Sequence, residues 1–234
     1  MRRGLTTSRE QARDAVLAGR VLVGGALADK PARLVAPDEP VELVGVPPRF
    51  VGRGGEKLDA ALERFDVAVE GKRALDAGAS TGGFTDCLLQ WGASSVVAVD
   101  VGYGQLHERL RADPRVESHE RSDIRAFRAD ERFELVVADL SFISLRTVAS
   151  ALVELAAPGA DLVVLVKPQF EAGRAEASKG RGVIRDPEVR ERAVAGVRSA
   201  MEEAGAAMME VMESPLTGAD GNVEFLVHFR ASSR

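Results

Sequence analysis

Cysteine is almost missing from this chain: among 234 residues only Cys87 occurs, so no intramolecular disulfide can form, a reducing compartment is expected, and Cys87 reads as a small buried apolar residue. Histidine is scarce too. His107, His119 and His228 lack metal-ligand spacing, and without a cysteine pair no metal is expected. Aromatic residues make up 5% of the chain, which excludes a recognition surface dominated by ring stacking unless Phe142 or Phe170 contributes. No apolar run approaches the roughly 18 residues of a membrane span, and no leader-like stretch follows Met1-Arg2-Arg3. The expectation is a cytoplasmic chain without a membrane partner. A strongly amphipathic cationic helix, as a membrane-lytic protein would need, is also lacking.

What is present is ordinary globular material, with 45% hydrophobic and 29% charged residues, enough for one full-sized domain and a small appendage. The net charge of -5 is unevenly spread. Residues 1–33 hold seven basic side chains (Arg2, Arg3, Arg9, Arg13, Arg20, Lys30, Arg33) against three acidic ones (Glu10, Asp14, Asp29), a local surplus of four. Phosphate contacts are made by such patches, whatever the overall charge.

Ser8 and Gln11 have capping-box spacing, and Ala12, Ala15 and Val16 then share a face, so a helix is expected from about Ser8 to Gly19. Val21–Val23 before Gly24-Gly25, and Val41–Val44, read as strands of a small αβ module over residues 1–45. The consecutive Pro47 and Pro48 mark a linker over 46–54. From 55 to 234, apolar strands near Ala74-Leu75, Ser95–Val99, Leu135–Ala138 and Leu162–Val166 alternate with helical stretches, the pattern of a mainly parallel sheet covered on both faces. Ala207–Val211 and Val223–Phe229 follow one another without a helix between them, which predicts an antiparallel final strand.

The sharpest local signal is Leu75 to Phe84, a strand end running into a glycine-rich turn that opens a helix expected over Thr85–Trp91. Glycine lets backbone approach a ligand, and the N-H groups of a helix start lie beyond the strand's carboxyl end. A dinucleotide fingerprint would need glycines at 78, 80 and 83, but Ser80 stands in the middle. Asp76, Gly78, Ser80, Thr81, Gly82, Gly83 and Phe84 are therefore candidates for a different nucleoside cofactor, with Asp76 organising the loop or facing a cation. Asp100, with Val101 after it, ends the next strand at the distance suited to ribose hydroxyls, and Asp123 is a candidate for the adenine edge.

Asp76 to Phe84, Val99 to Leu106, Ala138 to Ser144, Val166 to Glu171, Gly221 to Phe225 and Arg53 to Leu58 together resemble the TlyA, or haemolysin A, family along nearly the whole chain. The resemblance implies an α/β, Rossmann-like methyltransferase fold with a mainly parallel seven-stranded sheet and an FtsJ-like active site. It also implies an N-terminal domain like the RNA-binding domain of ribosomal protein S-four. The family pattern usually has a further helical stretch before Arg3-Gly4-Leu5, which leaves the completeness of this module open. S-adenosyl-L-methionine is the implied cofactor, and a cytidine ribose 2′-hydroxyl in ribosomal RNA, on one or both subunits, the implied substrate. The oligomeric state stays open, with a monomer favoured.

By resemblance, Lys57, Asp139, Lys167 and Glu224 correspond to the Lys-Asp-Lys-Glu set of FtsJ-like enzymes, with Lys167 taking the hydroxyl proton, Asp139 and Lys57 orienting it, and Glu224 holding the network; Asp139 also faces the cofactor. Asp139 and Lys167 each follow an apolar run, so both are expected on the rim that carries the glycine turn. Arg3, Arg9, Arg13, Arg20, Lys30 and Arg53 are candidates for RNA contact, as are Arg174, Lys179 and Arg181 in the glycine-containing stretch from Glu171 to Arg185. Two other readings remain: a noncatalytic ribosome- or RNA-binding protein, and a nucleotide-dependent oxidoreductase.

Overall fold

The computed structural model describes residues 3–6, 9–46, 48–173, 176, 180, 182–218 and 220–233, and for residues 9, 10, 11 and 14 it describes the backbone alone. The chain divides into two compact units, Met1–Arg53 and Gly54–Arg234.

In the first unit, helix α1 (Arg9–Leu17) is followed by strands β1 (Val21–Val23), β2 (Ala26–Leu27) and β3 (Val41–Leu43). They form a three-stranded antiparallel sheet in the order β2-β1-β3, with Ala15, Val21, Val23 and Ala28 as its small core. The helix and the strands at 21–23 and 41–43 occur as the sequence pattern predicts, while the Ser8–Gln11 capping box lies outside the described residues and side chains. Strand β2 was not anticipated, because two exposed residues leave no periodicity to read.

The second unit contains helix α2 (Gly54–Arg64), strand β4 (Arg73–Ala77), helix α3 (Gly83–Gln90), strand β5 (Ser95–Val99), helix α4 (Glu108–Arg111), and strands β6 (Val116–His119) and β7 (Phe133–Ala138). Helix α5 (Ala149–Leu155), strand β8 (Ala156–Val166), helices α6 (Pro168–Glu171) and α7 (Pro187–Glu203), and strands β9 (Ala206–Glu213) and β10 (Phe225–Ala231) complete it. The seven strands run β6-β5-β4-β7-β8-β10-β9, parallel except for β10, which pairs antiparallel with both β8 and β9. The mainly parallel sheet and the antiparallel last strand are as the strand-helix alternation and the helix-free join predict, and the Rossmann-like seven-stranded arrangement is the one the resemblance implies.

Central strands β4, β5 and β7 are buried along nearly their whole lengths, consistent with helices on both faces. Strand β6 escaped the sequence reading because Val-Glu-Ser-His has no apolar alternation; as an edge strand it pairs only with β5 and stays half solvated. Strand β8 begins earlier than Leu162, since its first residues bulge between the pairs Phe133 with Ala156 and Leu135 with Asp161. Helix α3 starts two residues before Thr85 because Gly82, at φ +96°, makes the sharp turn itself. A Cβ there would lie 2.2 Å from a Leu110 methyl, so no side chain is accommodated.

At the sheet end opposite the glycine turn, Asp161 gathers three cationic or ring partners. Lys72 Nζ donates to its Oδ2 at 3.1 Å, Arg230 Nη2 to its Oδ1 at 2.8 Å, and His228 Nε2 lies 3.0 Å from Oδ1. The His228 ring is buried and stacks on Phe65 at 5.7 Å. Burial alone would raise the Asp161 carboxyl, but hydrogen bonds from His228, Arg230 and Lys72 outweigh it and hold the group below the usual carboxylate range. Its stabilisation is thus present near neutrality and lost as pH falls below about 4. Asp161→Asn is expected to lower the unfolding free energy by about 2 kcal/mol at pH 7, below the roughly 3–5 kcal/mol of fully buried broken pairs because Arg230 is half exposed. Urea denaturation should show the deficit shrinking as the pH is lowered from about 5 towards 3, where the wild-type carboxylate also weakens.

Candidate active site

The strand order reverses between β4 and β7, and the crevice beyond the carboxyl ends of β4, β5 and β7 is where an open α/β sheet has room for a ligand. A cleft of about 540 Å³ opens there, lined by Gly78, Ser80, Val99 to Gly102, Gln105, Ser122 to Arg125 and Asp139 to Ile143. That size suits a nucleoside-sized molecule. Gly78, at φ +87°, donates its N-H to the Val99 carbonyl at 2.8 Å and approaches the β7 end so closely that a Cβ would lie 2.6 Å from the Asp139 carbonyl oxygen. Ser80 takes a left-handed backbone at φ +46°, which turns its N-H onto Asp100 Oδ2 at 2.8 Å. Asp100 Oδ1 accepts from Gly102 N at 2.6 Å, so one carboxylate ties the β4 and β5 turns together while keeping lone pairs for a further donor.

Of the cofactor candidates, Gly78, Ser80, Asp100, Val101, Asp123 and Asp139 stand on the cleft wall. Gly82, Gly83 and Phe84 are buried behind it and Thr81 is half-buried, so these four shape the turn from outside the lining. Asp123 is gripped by the Arg125 guanidinium, with Arg125 N also donating at 2.9 Å, and these hydrogen bonds hold its carboxyl down to about 2. Gln105 and Ser141 belong to the site without having been singled out. Gln105 accepts the Ser80 hydroxyl at 3.2 Å, and Ser141 Oγ accepts from Lys167 Nζ at 2.8 Å. Their one signal was position, inside the segments Val99–Leu106 and Ala138–Ser144.

The four charged residues form two ion pairs on neighbouring elements. Lys167 Nζ, just beyond β8, lies 2.5 Å from Asp139 Oδ1, just beyond β7. Lys57 Nζ, on the buried side of α2, donates to Glu224 Oε2 at 2.5 Å. Glu224 directly precedes β10, whose first residue Phe225 pairs with Val166, so Glu224 and Lys167 leave adjacent strand ends. Gln169, two residues beyond Lys167, donates Nε2 to Glu224 Oε1 at 3.4 Å, and a Cβ at Gly54, on the first turn of α2, would lie 3.7 Å from Asp139 Oδ2. Gly218 is required as glycine beside them, since a Cβ would meet Glu224 Oε1 at 2.5 Å.

Among the RNA-contact candidates, Arg3 fastens its own module, donating to the carbonyls of Ala36 at 2.7 Å, Pro37 at 3.1 Å and Glu39. Arg20 Nε donates to Val44 O at 3.3 Å, Arg13 is half-buried and Lys30 exposed. Arg53 is also half-buried. The Arg9 side chain and residues Arg174, Lys179 and Arg181 lie outside what the structure describes.

Asp76 is fully buried, with Oδ2 accepting from Thr85 Oγ1 at 2.6 Å and Oδ1 without a hydrogen-bond partner among the described residues. Burial pushes its pKa up to about 7, with the nearby Asp139 and Asp100 charges adding to the rise and the Thr85 hydrogen bonds opposing it. Between about pH 4 and 7 the folded state then holds a proton that the unfolded chain has released, so this group makes stability fall as pH rises through that window. Asp76→Asn removes the titration. The unfolding free energy of the variant minus that of wild type should therefore be larger at pH 8 than at pH 5 in urea titrations, and an equal difference at both would show that the carboxyl titrates normally.

Comparison with known proteins agrees with this architecture. The FtsJ-like methyltransferase family model matches residues 50–231, and the S4 domain model residues 2–41. The chain is 49% identical to the 16S/23S rRNA (cytidine-2′-O)-methyltransferase TlyA of Mycobacterium tuberculosis, over all of this chain and 88% of that one. It is 41% identical to Hemolysin A of Brachyspira hyodysenteriae, over 97% of this chain and 95% of that one. A solved structure of a protein named as a hemolysin, from Streptococcus thermophilus, superposes with a TM-score of 0.80 at 39% identity, covering 99% of this chain and 86% of that one. More distant methyltransferase structures, such as one from Listeria monocytogenes at 15% identity and a TM-score of 0.58, share the fold of 76% of this chain and 99% of theirs. With one family model spanning the whole seven-stranded unit and relatives this similar along the full length, the chain belongs to the FtsJ-like methyltransferase family, within its TlyA group.

Proposed function

We propose that this protein transfers a methyl group from S-adenosyl-L-methionine to the 2′-hydroxyl of a cytidine in ribosomal RNA. The observation that carries the proposal is the position of Lys167 Nζ, held between Asp139 Oδ1 at 2.5 Å and Ser141 Oγ at 2.8 Å on the rim of a nucleoside-sized cleft. The substrate assignment rests on likeness to relatives named for that reaction.

The cleft residues fit the donor. Its wall carries the carboxylates of Asp100, Asp123 and Asp139, while Arg125, the one guanidinium among the described residues of the lining, is committed to Asp123. A lining of this charge suits a ligand with cationic centres and ribose hydroxyls, and it disfavours the pyrophosphate of a dinucleotide, which counts against the oxidoreductase reading. Asp100 would accept from the ribose hydroxyls, Asp123 would stand at the adenine edge, and the Gly78–Ser80 turn would pass beneath the ligand. Bound there, the donor supplies an electrophilic sulfonium methyl. Asp76, wholly buried, supports the turn from below and makes no direct contact.

A ribose hydroxyl is a weak nucleophile until its proton is shared or removed. Lys167 in its free-amine form takes the 2′-hydroxyl proton at Nζ, while Asp139 and Ser141 fix the direction in which that nitrogen points. Lys57, held by Glu224 with Gln169 behind it, adds a second cation near the oxygen as it gains negative charge. Phe142 is 91% exposed beside the cleft, with Phe170 at 5.3 Å, and offers an aromatic face for the base of the target nucleotide. Basic residues of the N-terminal module and Arg53, with Arg174, Lys179 and Arg181, provide phosphate contacts, and the domain reading of 1–45, linker 46–54 and 55–234 belongs to the same proposal. The cytoplasm follows from the ribosomal substrate.

Incubating purified ribosomal subunits with tritiated donor and mapping the label should place it on a cytidine 2′-oxygen. Lys167→Ala is expected to cut turnover at least 100-fold with folding intact, the range for loss of a general base. Normal turnover by that variant would remove Lys167 from this role, and absence of label with the wild-type protein would favour a noncatalytic binding protein. Affinity for ribosomal RNA should fall steeply with added salt in filter-binding titrations, and a flat response would contradict the phosphate footprint.

A further inference from the structure

The segments that follow Asp139 and Lys167 are joined a second time, away from the reacting groups. Glu171 ends α6, one helical turn after Lys167, and its side chain is 2% exposed. Among the described residues, every polar partner of its carboxylate comes from the stretch just beyond Asp139. Ser144 Oγ donates to Oε2 at 2.5 Å, Leu145 N donates to Oε1 at 2.7 Å, and Arg146 Nε stands 3.4 Å from Oε2. Arg146 Nη2 also donates to the Glu171 carbonyl at 3.0 Å.

These contacts leave the connecting loop little freedom. The Ser144 hydroxyl gives its single proton to Glu171 and accepts from Arg146 N at 3.2 Å, so its rotation is defined from both sides. Leu145 N-H opens the 3-10 turn Leu145–Thr147 and would be an orphan donor in a buried place without the carboxylate. Between Asp139 and Ser144 lie Leu140, Ser141, Phe142 and Ile143, all on the cleft wall, and Phe142 holds a left-handed backbone at φ +66°. A bulky residue keeps that conformation only where the surrounding chain over-determines it. The loop is therefore clamped at one end by Lys167, which contacts Asp139 and Ser141, and at the other by Glu171.

We infer that Glu171 is a positioning residue for methyl transfer: its buried carboxylate fixes the 139–145 loop against the 167–171 segment, and thereby sets where Ser141 and Asp139 hold the Lys167 amine. The inference rests on the reading of Lys167 given above. Glu171 touches neither of the proposed reactants and acts through the loop. A small drift at Ser144 moves both the Ser141 acceptor and the Asp139 carboxylate that flank the amine, and reaction geometry tolerates little such error.

The test uses the full chain with ribosomal subunits and labelled donor, comparing wild type, Glu171→Ala, Glu171→Gln, Ser144→Ala, Ser141→Ala, Lys167→Ala and the double variant Glu171→Ala/Ser141→Ala. Glu171→Ala should lower kcat at least tenfold while KM for either substrate changes less than threefold. Glu171→Gln, which keeps an acceptor for Leu145 N-H and a partner for the Ser144 hydroxyl, should recover kcat to within about threefold of wild type. Ser144→Ala, which leaves the carboxylate in place, should fall between them and covers the case in which Glu171→Ala does not fold. Because Glu171 acts through Ser141, the double variant should lose less than the product of the two single losses. Turnover by Glu171→Ala and Ser144→Ala within twofold of wild type at saturating substrates, or losses that multiply independently with Ser141→Ala, would overturn the inference. If Lys167→Ala turns over normally, the underlying reading fails whatever the Glu171 variants do; if Lys167→Ala is inactive and Glu171→Ala keeps its kcat, the positioning role alone fails.

Discussion

Two adjacent parallel strands, β7 and β8, fix the ion pair around which the rim of the cleft is arranged. β7 and β8 pair with Ala138 opposite Val164, so Asp139 and Lys167 emerge from neighbouring strand ends and their charged groups meet at 2.5 Å. Hydrogen bonding along the sheet thereby supplies much of the ordering that would otherwise oppose holding two long polar side chains together. The same register brings β4 and β5 to the rim, so the Gly78 turn and Asp100 share it with the ion pair. A one-residue slip in either pairing would turn these side chains to opposite faces of the sheet.

The antiparallel strand β10 has a corresponding role on the other side. Lying between β8 and β9, it enters the sheet at the rim where the parallel strands leave it, which sets Glu224 beside the Lys167 end. Helix α2 then brings Lys57 onto Glu224 because Leu58, Ala61 and Leu62 must bury on that side of the helix. At the opposite sheet end, Asp161 collects Lys72, which directly precedes β4, and His228 and Arg230, both on β10. One carboxylate thus consolidates the sheet at the end away from the cleft, while Asp100, Asp123 and Asp139 stand on the cleft wall.

Carboxylates at similar sequence positions receive different environments. Asp76 and Asp100 each stand at or just beyond a strand end, yet Asp76 lies wholly inside and is pushed up to about 7, whereas Asp100 opens onto the cleft and braces two turns. Glu171 and Glu224 are both buried, one meeting a hydroxyl and a backbone N-H, the other a lysine. The element packed above each side chain makes the difference, and no local pattern encodes it.

Much of the architecture was legible because it rests on short-range rules. Apolar runs between polar stretches marked β4, β5, β7 and β8, the glycine turn marked the carboxyl end of β4, and a helix-free join foretold the antiparallel β10. Strand β6 and strand β2 were not legible, since an exposed edge or a two-residue hairpin leg carries no periodic signal. The position of Asp139 and Lys167 on one rim was determined by the sequence itself, as each follows a buried strand in a parallel alternation. Only the tertiary structure decided that Lys57 would meet Glu224 across 167 residues, that Asp76 would be closed off from the cleft, and that Glu171 would tie down the Asp139 loop. Such pairings depend on which distant surfaces pack together, and that choice is made by the whole core rather than by the residues that come into contact.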